Sequence, residues 1–170
     1  FRPRRREGEA LRDSILNVTG QLDSRMFGAG TLDESMRRRS IYFTIKRSKL
    51  IPMLQVFDVP EPLVSQGQRP TTIVAPQALL LLNNIHIRKY CEDGAKQFLK
   101  ESQDLTSLVT QLYQRTLSRQ PTLSETAKSL AFLQQQTQSY TDSGSNTPEE
   151  AAFADLFQLV ICLNEFCYIY

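Results

Sequence analysis

The sequence predicts a mainly α fold: a helical domain with a small β element near residues 40–46. Three observations lead there. Apolar residues recur at helical spacing along most of the chain. Several of those stretches open on recognisable capping residues. Only one stretch, around Ile41, Phe43 and Ile45, alternates with the period of a strand.

The first helix is predicted over residues 5–22. Leu11, Ile15, Val18 and Leu22 fall at i, i+4, i+7 and i+11, which places them on one helical face. Residues 23–36 carry Gly28 and Gly30 and read as loop. Ser40 to Lys46 sets Ile41, Phe43 and Ile45 against Tyr42, Thr44 and Lys46, so a strand is expected. Its partner is sought at residues 71–74 or outside the chain. One or two helical turns are expected between Lys49 and Val56, with Pro52 in the first turn. A Pro/Gly/Ser-rich connection then runs from Asp58 to Pro70. Loops of that length in a compact domain are functional or tucked against the body.

Thr72 to Asn83 is nearly all apolar, and a helix apolar all round is expected to be buried. Asn83-Asn84 breaks it, and residues 85–100 continue as a further helix. Asp104 caps the next, with a stripe of Leu105, Leu108, Val109, Leu112 and Leu117. Thr122-Leu123-Ser124-Glu125 is a capping box for a helix to about Ser139. Thr147-Pro148-Glu149-Glu150 starts the last long helix, which runs to about Leu163. The final residues, 164–170, are apolar enough to dock. No internal repeat is evident.

At 170 residues, with 41% hydrophobic and 22% charged residues, the chain suits one globular domain with a single core. No apolar run reaches the length of a membrane span. The net charge of +2 is unevenly distributed. Residues 1–50 hold 12 Lys/Arg against 6 Asp/Glu, and the rest hold 8 against 12. Glu7, Glu9 and Asp13 are interleaved with the front arginines, which mutes that patch. No nucleic-acid-binding module accompanies it, so no nucleic-acid partner is expected. The three cysteines, 91, 162 and 167, make no disulfide framework and no metal-ligand spacing. A bridge between Cys162 and Cys167 would require the helix to break between them.

No phosphate loop, nucleophile elbow or metal-binding motif is present, so no catalytic residue and no metal ligand are assigned. His86 is the single histidine and reads as structural. The best polar constellation is Arg38, Arg39, Tyr42, Arg47, Asp58 and Arg69. Guanidinium groups suit bidentate contact with sulfate, phosphate or carboxylate, and Tyr42 offers a face for stacking. Asp58 lies between Phe57 and Pro60, which would desolvate it, while a nearby Arg69 or Arg47 would act in the opposite sense. The bland alternative is that these arginines pair with Asp58 and Glu61 and pin the long loop.

Several ordered motifs carry a family resemblance. They are Arg38-Arg39-Ser40-Ile41-Tyr42, Phe57-Asp58-Val59-Pro60, Arg69-Pro70-Thr71-Thr72, and Pro76-Gln77-Ala78-Leu79 with Leu82-Asn83. Arg5-Arg6 with Glu9 to Asp13, Thr116 to Thr122, and Asn164-Glu165-Phe166 extend the pattern. Together they resemble the C-terminal domain of unknown function of planctomycete cytochrome-c-domain proteins. The resemblance implies a single C-terminal module, residues 1–170, of a large multidomain protein that is exported to the cell envelope or secreted. It implies no cofactor in this domain, with haem in the parent protein outside it. It implies neighbouring domains as partners and a link to anionic polysaccharide, and it supplies no catalytic residues. The expected role is an interaction or scaffold module rather than an enzyme by itself. The rival reading is part of an enzyme site acting on acidic or sulfated polysaccharide.

Overall fold

A computed structural model describes residues 3–102 and 104–169. Its element order is β1 (Arg4–Arg5), α1 (Gly8–Val18), a 3-10 turn (Ser40–Tyr42), α2 (Pro52–Val56), α3 (Ala75–Asn83) and α4 (Ile85–Glu101). There follow α5 (Leu105–Leu117), α6 (Leu123–Asp142), α7 (Pro148–Ile161), α8 (Asn164–Cys167) and β2 (Tyr168–Ile169). The domain is mainly α with one small antiparallel sheet, in which Arg4 faces Ile169 and Arg5 faces Tyr168.

Helix α7 is the centre of the core. It packs most extensively on α4 and α6, and it also touches α3, α5 and α8. Phe98 of α4 sits 5.7 Å from Phe153 and 5.4 Å, edge to face, from Phe157 of α7. Leu11, Leu16, Leu108, Leu112 and Ile161 complete a fully buried centre. Gly94 allows α4 to approach this closely, since a Cβ there would meet Phe157 and Thr19 at 3.2 Å. A smaller cluster of Phe43, Ile51 and Leu54 lies beside the main core and anchors the loop side.

The helix starts follow the sequence. Asp104 accepts from the backbone amides of Thr106 and Ser107, and Asn84 does the same for His86 and Ile87. Thr122 and Glu125 form the capping box, and α6 continues one turn past Ser139. Pro148 occupies the first turn of α7, although the Thr147 side chain makes no capping bond.

Three expectations need correction. The β element is not at residues 40–46. There the chain winds into the 3-10 turn, and Phe43 then makes one parallel bridge to Thr31. A strand needs a continuous partner, and this segment finds only isolated bridges, the second joining Lys46 to Lys49. Ile41 and Ile45, predicted to lie on the same side of the strand as Phe43, are 80% and 60% exposed, whereas Phe43 is buried. The first helix is shorter than residues 5–22, because Arg4 and Arg5 pair with β2 and Gly20 turns the chain at φ 69°. Finally, α3 is not buried all round. Only Gln77 and Leu81 are buried, while Leu79 and Leu82 are about half exposed.

Candidate functional site

Of the arginines predicted to converge, Arg38, Arg39 and Arg69 are divided between two separate nodes. One gathers around Asp58. The chain leaves α2 through Phe57, and Asp58 takes a left-handed conformation at φ 61°. Aspartate tolerates that region better than most residues. The turn aims its carboxylate inward. Oδ2 accepts from Arg5 Nη2 at 2.6 Å and from the Thr72 amide at 2.8 Å, and Oδ1 accepts from the Thr72 hydroxyl at 2.8 Å. The Arg5 guanidinium also donates to the Thr72 carbonyl and lies over the Phe57 ring.

Arg69 completes this node from the far end of the long loop. Its Nε donates to the Asp58 carbonyl at 2.9 Å, and its two terminal nitrogens reach Glu9 and Glu7. Arg69 therefore pins the loop, as the bland alternative expected, but its carboxylate partners are Glu7 and Glu9 rather than Glu61. Buried Gln77 ties in α3 by donating to the carbonyls of Val56 and Thr72. A recess of about 290 Å³ beside this node is lined by Arg4, Arg5, Arg6, Glu7 and Arg69. Arg6 donates to Ser14 and stacks on Phe166, and its Nε is buried without a partner among the described residues.

The second node is organised by Arg12, which sequence reasoning passed over. Arg12 is 3% exposed and lies over the Phe43 ring. It donates to the Arg38 carbonyl at 3.0 Å, the Ser40 hydroxyl at 3.2 Å and the Met36 carbonyl. Burial pushes its pKa down, and Tyr90 and Asp13 hold against that push. Asp13 accepts from the Ser40 amide and hydroxyl at 2.7 and 2.6 Å. These bonds occupy Ser40, and the 3-10 turn begins there.

Arg38 and Tyr42 do meet. The guanidinium stacks on the ring at 3.6 Å and donates to the carbonyls of Arg25, Phe27 and Ala29. The Tyr42 hydroxyl accepts from the Phe27 amide at 2.7 Å. Arg39 is mostly exposed and approaches Asp13 at 3.6 Å. Arg37 donates to Gln21 and to Asp93. Burial pushes the Asp93 carboxyl up, but hydrogen bonds from Arg37 and Lys89 outweigh it and leave the group below its ordinary value. Arg47 stands exposed in the turn closed by the Lys46–Lys49 bridge and joins neither node.

The PSD1 family, described as a protein of unknown function (DUF1553), matches residues 1–133. The chain belongs to that family. No curated protein and no solved structure matches it. The DUF1553 match contains both arginine nodes and ends within α6. Helix α7, which completes the core, lies beyond the matched residues.

Chemically, the nodes of this DUF1553 domain are clamps. Arg5, Arg12, Arg38 and Arg69 each spend their donors on carboxylates, carbonyls or hydroxyls of the same chain. Two signals in the sequence bear on the missed residues. Gly8, Arg12 and Leu16 recur every four residues, so Arg12 falls on a buried face. Gln77 is a polar residue within an otherwise apolar helix.

A third ion cluster lies apart, where Arg119 binds Glu125 at 2.7 Å and Glu165 at 2.7 Å. Hydrogen bonds from Arg119 and the Thr122 amide lower the Glu125 carboxyl from 4.5 to about 2. Its folded value lies below its unfolded one, so its contribution is present above pH 4.5 and is lost as pH falls toward 2. Glu165, held low by the same guanidinium, adds to that window. Glu125→Gln should therefore flatten the fall in Tm across this range. The group is partly exposed, so high salt should shrink the difference between wild type and variant.

Proposed function

We propose that the domain is an interaction module that docks a neighbouring domain of a longer polypeptide through exposed apolar residues on and beside α3. One observation carries this reading. Ile73, Val74, Leu79, Leu82 and Ile85 are all exposed. Between Arg69 and Arg88 the chain has no Asp, Glu, Lys or Arg. Those two flanking arginines are engaged, Arg69 with Glu7 and Glu9 and Arg88 with Glu92 and Asp155. Exposed apolar residues gathered this closely along the chain, with no charge among them, suit an interaction surface.

Its chemistry selects the occupant. An anionic polysaccharide needs free cations beside a stacking ring, but Arg38 is spent on Tyr42 and on backbone carbonyls, and the exposed Lys46, Arg47 and Lys49 join neither node. An interfacial membrane helix carries Lys or Arg on its polar face, and α3 carries none. Five side chains fall short of the roughly 800 Å² per partner that a stable complex of separate chains buries. Tethering within one polypeptide supplies a high effective concentration, so a smaller surface suffices. Supporting neighbouring domains is thus favoured over a site for acidic or sulfated sugars. The expected setting, an exported multidomain protein, is part of the same proposal.

The test is amide hydrogen exchange at residues 73–85, in the 170-residue chain and in the longer polypeptide. Protection should rise in the longer form and vanish in a Leu79→Lys/Leu82→Lys variant. That variant should leave the Tm of the isolated chain nearly unchanged, because exposed positions are tolerant. Equal exchange in both forms would overturn the reading. So would a concentration-dependent dimer, vesicle binding by the isolated chain, or a salt-sensitive thermal shift with sulfated or uronic oligosaccharides.

A further inference from the structure

Helix α7 ends at Ile161, and Leu163 adopts an extended conformation at φ −65°, ψ 142° before α8 begins. In an unbroken helix, residues five apart point to different faces. The break instead folds α8 back toward the end of α7. Cys167 Sγ comes within 3.5 Å of the Ile161 carbonyl oxygen, on the peptide group that joins Ile161 to Cys162. Both thiols are free. Both line one cavity of about 280 Å³, with Phe57, Ala78 and Leu81 on its other walls. Cys162 is the more exposed of the two.

We propose that Cys162 and Cys167 form a dithiol couple, which a small-molecule disulfide entering this cavity oxidises to an intramolecular disulfide. Cys162 reacts first because it is more accessible. Its thiolate attacks one sulfur of the reagent, the reagent's S–S bond breaks, and one reagent thiolate leaves. The Cys167 thiolate then attacks the Cys162 sulfur and expels the second reagent thiolate. Two protein thiols lose two electrons and two protons, and the reagent disulfide gains them as two thiols. The new bond fixes α8 and β2 to the end of α7, a closure that raises Tm.

Burial supports this order and sets the conditions. It pushes both thiols up to about 11, so little thiolate is present at neutral pH. Arg5 on β1 and the adjacent Arg6 oppose the rise at Cys167. Cys91 on α4 is fully buried and stays outside the couple.

The folded protein is incubated with oxidised glutathione at about pH 9, then denatured, alkylated and mapped by mass. The peptide carrying both cysteines should lose the mass of two hydrogens and resist alkylation, in wild type and in Cys91→Ser alike. Cys167→Ser should stop at a glutathione adduct on Cys162. Three results in the wild type would overturn the proposal: a persistent adduct on Cys162, a link through Cys91, or full alkylation of both thiols. The wild-type result decides the matter even if Cys167→Ser folds poorly.

Discussion

Replacing Arg12 with methionine should destabilise the domain by about 3–5 kcal/mol in urea unfolding, the usual cost of removing one member of a buried charge cluster. Methionine fills much of the same volume but donates nothing. The Met36 and Arg38 carbonyls and the Ser40 hydroxyl would then lose their shared donor. Each buried acceptor left unpaired costs about 1–3 kcal/mol. Arg12→Lys should lie between wild type and Arg12→Met, because one ammonium cannot match a planar fork spread over three acceptors. Hydrogen exchange should rise first in residues 36–40, the segment that Arg12 and Asp13 hold against α1. A loss below about 1 kcal/mol for Arg12→Met would show that this clamp is not what fixes the loop.

Asp58→Ala should produce the other large effect, also about 3–5 kcal/mol. Arg5 is 7% exposed, and the substitution removes its carboxylate. Thr72 loses the acceptor for both its amide and its hydroxyl. Alanine is also a poor occupant of φ 61°. Asp58→Gly separates the two causes, since glycine accepts that conformation freely and should recover about 1 kcal/mol relative to alanine. Adding Arg5→Met to Asp58→Ala should restore more, because it removes the charge left uncompensated. If Asp58→Ala and Asp58→Gly are equally mild, the Arg5–Asp58 pair contributes little, and the loop is held by Arg69 and Gln77 alone.

Neither variant is expected to uncover a latent ligand site. The clamps join the front of the chain to two loops: Arg5 and Glu9 reach residues 58–72, and Arg12 and Asp13 reach residues 36–40. Their work is to close two irregular segments, 19–51 and 57–74, onto a helical body. Such segments carry many backbone donors and acceptors that regular structure would otherwise satisfy. Arginine suits the task because one side chain serves several carbonyls at once.

The sequence by itself determined the helical class and most helix starts. Asn84, Asp104 and Thr122 cap helices by bonding amides two or three residues away, so their signal is local and readable. Of the stripe Leu105, Leu108, Val109, Leu112 and Leu117, the spacing names the buried face at Leu108, Val109 and Leu112, while Leu105 at the helix start is left exposed. Which arginine meets which acceptor was decided only by tertiary structure. Arg5 and Asp58 are 53 residues apart, and Arg69 and Glu9 are 60 apart. No period or motif encodes such pairings, because they depend on how separate elements come to rest against one another. The same holds for the alternation at Ile41, Phe43 and Ile45. It has the form of a strand, but a strand exists only through its partner, and here pairing is limited to isolated bridges, Phe43 to Thr31 and Lys46 to Lys49. The exposure of Leu79 and Leu82 was settled in the same way. An apolar helix predicts burial, and whether this chain itself supplies the covering surface is a property of the packing around α3.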